Sequence, residues 1–298
     1  MLLDYTLRNV ALGAAILGLV GGVLGSFAVL RRQGLYGDAL AHATLPGVCV
    51  AFILAGTKTP AILLAGAAIS ASLGALLILA IVGGTRIKQD AALGIVLSVF
   101  FGFGTVLLTY IAGTGDSGQA GLDRFIFGQA ATLVAGDVRA MGLLGGASLI
   151  IVALLFKEFK LLSFDPAFAA SVGYPVGRLN LLLTALIVVA IVIGIQTVGV
   201  ILMAAMLITP AAAARQWTER LSAMIVISGV FGAASGVTGA LISATGPDLP
   251  TGPLVVLVAT SILLLSLVVG RSRGALWDRL RAARNRRRAL RGEGSARS

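Results

Sequence analysis

Ala61-Ile62-Leu63-Leu64-Ala65-Gly66-Ala67-Ala68-Ile69-Ser70-Ala71-Ser72-Leu73-Gly74-Ala75-Leu76-Leu77-Ile78-Leu79-Ala80-Ile81-Val82 contains no ionisable side chain. Wound as a helix, a run of this length extends about 33 Å, enough to cross the hydrocarbon core of a bilayer. Leu179–Val200 and Leu254–Gly270 repeat the pattern. Across the chain 58% of residues are hydrophobic, only 12% are charged, and the mean hydropathy is +1.01. Soluble domains carry about 25% charged residues, so composition points to an all-α, polytopic membrane protein without a soluble domain. The first apolar run, Val10–Leu30, is too long for the core of a cleavable signal and reads as the first membrane helix.

Charge then orients the spans. The net charge of +11 gathers in alternate connections: Arg31 and Arg32, Arg86 and Lys88, Lys157 and Lys160, Arg178, Arg215 and Arg220, and the tail from Arg271. The other connections hold only Arg8, Lys58, Arg124 and Arg139. Basic residues mark cytoplasmic loops, so this alternation is a topology signal rather than a nucleic-acid footprint. It predicts nine crossings near 9–30, 35–55, 60–83, 91–112, 136–156, 178–197, 199–214, 221–244 and 252–270, with the N-terminus outside and the C-terminus cytosolic. The seventh is short and carries Pro210, which reads as a broken helix, and eight full spans are the natural revision. In the outer connection that precedes the fifth span, Phe125–Val134 is apolar enough to lie at the interface or re-enter the membrane. Residues 1–270 form the transmembrane domain and 271–298 a basic cytosolic tail, attracted to anionic headgroups. The glycine pairs Gly18/Gly22, Gly21/Gly25 and Gly232/Gly236 have the four-residue spacing that lets membrane helices approach closely.

Within the second span, Gly37-Asp38-Ala39-Leu40-Ala41-His42-Ala43-Thr44-Leu45-Pro46-Gly47 places the chain's only histidine four residues after an aspartate. A carboxylate at membrane depth costs about 3 kcal/mol, so such residues are functional candidates. On a helix the two share a face, and carboxylate with imidazole forms half a coordination shell for a divalent transition metal. Pro46 cannot donate to the His42 carbonyl, which predicts a kink that frees this oxygen beside the pair. An incomplete ligand set suits an ion that must also leave. The plainer alternative is an Asp–His hydrogen bond pinning two helices. Cys49, seven residues after His42, is a further candidate ligand that would favour zinc over manganese, although packing is the commoner role for a lone buried cysteine. Met203 and Met206 read as packing residues.

After the fifth span, Asp165 is a good N-cap, Pro166 suits the first helical position, and Gly173 is a C-cap with Pro175 as a stop. The sequence specifies a helix of about two turns in an aqueous loop, carrying Phe168. It either lies against the protein's own inner surface or docks into a partner's groove, and the residues alone leave both open.

Two chemistries are excluded. Gly56-Thr57-Lys58-Thr59 lacks the spacing of a phosphate-binding loop and falls on the outer side, so the chain has no nucleotide-binding motif. No His-Glu-x-x-His, Gly-x-Ser-x-Gly or Ser/His/Asp pattern supports an intramembrane hydrolase.

Taken together, these segments resemble the membrane permeases of bacterial zinc/manganese/iron ABC importers. The resemblance is carried by Gly25–Arg32, Gly37–Ala43 with Leu45-Pro46-Gly47, and Phe164-Asp165-Pro166 with Ala169, Ala170 and Gly173. Val198-Gly199-Val200, Ala204–Ala214 and Asp248-x-Pro250-x-Gly252-Pro253 complete it, over about residues 10–270. It implies a type II ABC importer-like permease of the bacterial cytoplasmic membrane, paired with a second permease copy, identical or paralogous. Cytosolic ATPase subunits would hydrolyse ATP, and an extracytoplasmic solute-binding protein would deliver the ion. No tightly bound cofactor is implied, only a transported zinc, manganese or iron ion. Asp38 and His42 match the family's ion-contacting pair. Phe164, Asp165, Pro166, Phe168, Ala169 and Gly173 match its coupling helix, and Pro46 and Pro210 fall on the pathway or at kinks. The rivals are a related importer for a metal chelate such as a siderophore or cobalamin, and a secondary metal transporter that works without ATP.

Overall fold

The structure is a computed structural model that describes residues 5–57, 59–113, 128, 133–246 and 249–272. Lys58, Asp248 and the tail beyond Ser272 lie outside the described residues, as does most of Phe125–Val134. The described helices are α1 (Tyr5–Leu30), α2 (Tyr36–Ala55), α3 (Pro60–Gly84), α4 (Gln89–Gly113), α5 (Ala135–Leu154), α6 (Phe156–Phe164), α7 (Pro166–Ser171), α8 (Val176–Val198), α9 (Val200–Arg215), α10 (Leu221–Ser243) and α11 (Thr251–Val269). Eight of them are long and apolar enough to cross a membrane. Large apolar side chains such as Val106, Leu143, Leu154 and Leu265 face outward, as they should where the solvent is lipid.

The central helix α1 has two small-residue faces. Gly18 and Gly22 meet Gly232 and Ser228 of α10, and Gly236 of α10 meets Ala14. Ser228 Oγ donates to the Gly22 carbonyl at 2.7 Å across this seam. On its other face, Gly21 and Gly25 lie against the backbone of Met206 and Leu207 of α9. The glycine spacings seen in the sequence are therefore places where two backbones touch, and at Gly18, Gly22, Gly25, Gly232 and Gly236 nothing larger than hydrogen fits between them.

The expected seventh span is α9, only sixteen residues long. It is shorter than its neighbours, but with the residues that flank it, Val198 and Gln216, it matches the length of α11 beside it. At one end Gly252 lies against Val198, and at the other Gly270 lies against Gln216, with Ser272 N–H donating to the Gln216 carbonyl at 2.9 Å. The helix continues through buried Pro210, so the expected break is not there. It falls at Gly199, whose φ of +83° separates α8 from α9 in a conformation that glycine adopts without strain. The α8–α9 apex is covered by Gly128, whose backbone abuts Val198 and Gly199. Nearby, Leu133 packs with Val10, Met141, Ile193 and Ala240.

One face of the bundle carries the ends at Arg31, Arg215 and Arg271, together with the α6–α7 segment. Phe27 of α1 stacks edge-on against Phe159 of α6, with ring centroids 5.9 Å apart and both side chains fully buried. α6 is thereby fixed to the bundle.

Candidate functional site

α2 begins at Tyr36 after a tight turn, with Asp38 in its first turn, where a carboxylate favours the helix dipole. One turn on, His42 Nε2 lies 3.4 Å from Asp38 Oδ1. The expected shared face is therefore real. The Asp38 side chain is 35% exposed and His42 17%, so the pair sits at the rim of the bundle rather than in its core. The imidazole ring stands edge-on against Phe101 of α4, with centroids 4.8 Å apart. His42 Nδ1, the ring nitrogen turned away from Asp38, is buried with no hydrogen-bond partner among the described residues. Among the described residues, no third His, Cys, Asp or Glu joins the pair.

Pro46 leaves α2 continuous to Ala55, so the predicted kink does not break the helix. Its lack of an N–H still removes the donor that a helix would offer the His42 carbonyl. From Pro46 onward an apolar cavity of about 720 Å³ opens between α2, α3 and α4, lined by Gly47, Val50, Leu54, Ile69 and Phe103 among others. Cys49 is not brought to the pair. It is fully buried, its Sγ lies 3.8 Å from the Gly104 carbonyl of α4, and seven residues of helix set it about 10 Å along the axis from His42. Met203 and Met206 are fully buried packing residues.

The α2 start is gripped from two sides. Leu207 of α9 crowds Gly37, leaving 2.8 Å to where a Cβ would lie. On the α8 side, Tyr36 Oη shares a 3.1 Å hydrogen bond with Thr184 Oγ1, and Arg31 Nη2 donates to Asn180 Oδ1 at 2.7 Å. Burial lowers the pKa of the Arg31 guanidinium from its usual value, and the nearby Tyr36 acts the other way. Neither partner was expected from the sequence: Asn180 and Thr184, polar residues four apart in a largely apolar helix, mark one polar face but not what it meets.

α7 has the caps that the sequence specified. Asp165 Oδ1 accepts from the Phe168 N–H at 2.9 Å, with Pro166 in the first turn. At the other end Tyr174 N–H donates to Ala169 O and Gly173 N–H to Ala170 O, with Gly173 at φ +91°, a Schellman closure. The helix itself is six residues long, shorter than the two turns expected. Ala169 is buried and holds it down, while Phe164 and Phe168 are 55% and 54% exposed. Two half-bare phenylalanines four residues apart, on the basic face, are an apolar patch outside the lipid-facing belt.

The sequence and the fold have counterparts in known proteins. A family model described as the ABC 3 transport family matches residues 3–270. The zinc transport system membrane protein TroC of Treponema pallidum is 50% identical over 281 residues, 94% of each chain. The manganese transport system membrane protein MntC of Bacillus subtilis is 52% identical over 279 residues, covering 94% of this chain and 64% of that longer protein. Among solved structures, PsaBC from Streptococcus pneumoniae in complex with Fab aligns with a TM-score of 0.78 at 34% identity, over 91% of this chain and 94% of that one. A metal-chelate type ABC transporter in an inward-facing conformation aligns at 0.69 but at only 15% identity, so it shares the fold alone. With one model matching almost all of the transmembrane region and half of all positions identical in full-length relatives, the chain belongs to the ABC 3 transport family.

Proposed function

We propose that this chain is the membrane-spanning permease of an ATP-driven importer for a divalent transition metal. The observation that carries the reading is the Asp38–His42 pair. Its 3.4 Å separation suits two atoms sharing one ion, since ligands about 2.1 Å from a metal stand about 3.1–3.4 Å apart. Two protein ligands on a partly exposed rim hold an ion without trapping it, which is what transport needs and storage does not. Zinc and manganese are the metals named for TroC and MntC, and identities of 50% and 52% do not choose between them.

The basic face is cytosolic in this reading. The patch formed by Phe164 at the end of α6 and Phe168 of α7 docks a cytosolic ATPase subunit, and Asp165, Pro166, Ala169 and Gly173 shape the short helix beside it. A solute-binding protein delivers the ion at the opposite face. A second permease, identical or paralogous, closes the open side of α2 and α4, where the apolar cavity and His42 both lie. The basic tail beyond Ser272 is cytosolic in the same reading.

The test is ATP-dependent uptake of zinc and manganese into vesicles holding the reconstituted complex. Asp38→Ala and His42→Ala should each abolish uptake while the subunits still copurify. Normal uptake in both variants would overturn the ligand role, and uptake without ATP would overturn the importer class.

A further inference from the structure

The helix proposed to dock the ATPase and the pair proposed to meet the ion are linked by a single element. α8 starts at Val176, just past the Schellman closure that ends α7. Its Asn180 and Thr184 lie four apart, on one face, and both bond to the short stretch that opens α2: Asn180 to Arg31 and Thr184 to Tyr36. Tyr36 is 2% exposed and Thr184 4%, so their hydrogen bond is dry, and breaking it leaves a hydroxyl with no water to turn to. Tyr36 is the first residue of α2, two before Asp38 and six before His42. The same opening turn is packed from behind by Leu207 against Gly37, which leaves it little freedom to yield when α8 moves. A second route from α6 and α7 to α2 runs through the Phe27–Phe159 contact and the Arg31–Leu35 turn, and α8 also packs on α3, which packs on α2. These apolar contacts can slide, whereas a hydrogen bond has a direction and a length.

We infer that Tyr36 and Thr184 are positioning residues for transport, their buried hydrogen bond tying displacement of α8 to the placement of Asp38 and His42. The inference rests on the reading of α7 as the ATPase-docking helix and of the pair as the ion contact. Tyr36 touches no ion; it acts through the turn of helix that carries Asp38. Spatial continuity alone does not demonstrate coupling, so the experiment measures coupling directly.

The complete complex, with ATPase subunits and binding protein, is reconstituted in vesicles, and metal uptake and ATP hydrolysis are followed together. Tyr36→Phe and Thr184→Val each remove one hydroxyl and keep the shape. Each should leave hydrolysis running but lower the metal moved per ATP hydrolysed by about fivefold or more. Thr184→Ser keeps the hydroxyl and should restore the ratio. The double variant should be no worse than either single one, because both remove the same bond. A ratio unchanged in both singles, or a defect that doubles in the double variant, overturns the tie. A hydroxyl that merely stabilises the fold would lower the melting temperature or the yield of complex and leave the ratio alone. Asp38→Ala in the same vesicles separates the two readings. If it retains uptake, the ion-site reading fails. If it abolishes uptake while Tyr36→Phe keeps the full ratio, only the tie fails.

Discussion

Gly22→Ala tests the packing on which the whole bundle depends. A Cβ at Gly22 would lie 2.7 Å from the Ser228 carbonyl carbon and 3.0 Å from Ser228 Oγ. Carbon pairs rest at about 3.5–4.0 Å, so α1 and α10 must part by about 1 Å. Overpacking of this kind costs about 1–3 kcal/mol. Separation also stretches the 2.7 Å bond from Ser228 Oγ to the Gly22 carbonyl, and bonds across membrane helices are worth about 0.6–2 kcal/mol. Replacing glycine within a helix returns about 1 kcal/mol of propensity. The net loss is about 2 kcal/mol, which at about 2–4 °C per kcal/mol lowers the melting temperature by about 4–8 °C.

The assay is thermal unfolding in detergent, read by the loss of the monodisperse peak. Ser228→Ala removes the bond without the clash and should lose less. Gly146→Ala on α5 adds a methyl where nothing lies within 4 Å, and should melt with or slightly above the wild type. The double variant should match Gly22→Ala, because the obstacle is the Ser228 backbone and the bond is already lost. If Gly22→Ala melts with Gly146→Ala, the seam is not close-packed and the account of α1 is wrong.

Three further outcomes are expected. Phe168→Asp places a charge on the bare patch of α7 and should abolish copurification with the ATPase subunit; unaltered recovery would count against docking there. Asp165→Ala removes the only side-chain cap of a six-residue helix, costing about 1 kcal/mol, so amide exchange at Phe168 should quicken about fivefold; an unchanged rate would show that the cap contributes nothing. Cys49→Ala should leave the competition between zinc and manganese unchanged, since Sγ faces Gly104 rather than the pair, and a shift in preference would make the thiol a ligand after all.

The sequence marked the helices closely because lipid removes the alternatives. A span that cannot bond its backbone to solvent must bond to itself, so an uncharged run of sufficient length is already a helix. The expected segments 60–83, 91–112 and 221–244 accordingly sit within about two residues of α3, α4 and α10. The face shared by Asp38 and His42 was legible for a similar reason, since four residues of helix leave no other arrangement. What hydropathy does not encode is which apolar surface meets which. The Gly18/Gly22 and Gly232/Gly236 spacings each announced a close approach, but only the fold shows that they approach each other. Likewise, no local signal puts Phe101 beside His42 or Thr184 beside Tyr36, because both contacts join helices far apart in the chain.

The seventh segment shows how a right boundary can sit beside a wrong break. Pro210 was expected to break the helix, yet a proline within a packed helix removes one N–H and its neighbours can absorb the change. The boundary between the sixth and seventh segments needs no proline, because Gly199 with its φ of +83° ends α8 and starts α9. The consequence reaches Asp38 and His42. A kink at Pro210 would have split α9 just beyond Leu207, the side chain that crowds Gly37. With the break at Gly199 instead, α9 runs as one rod from the apex past Gly37 to Arg215. The opening turn of α2 is therefore held by two unbroken helices, and a displacement of either one must be accommodated where Asp38 begins.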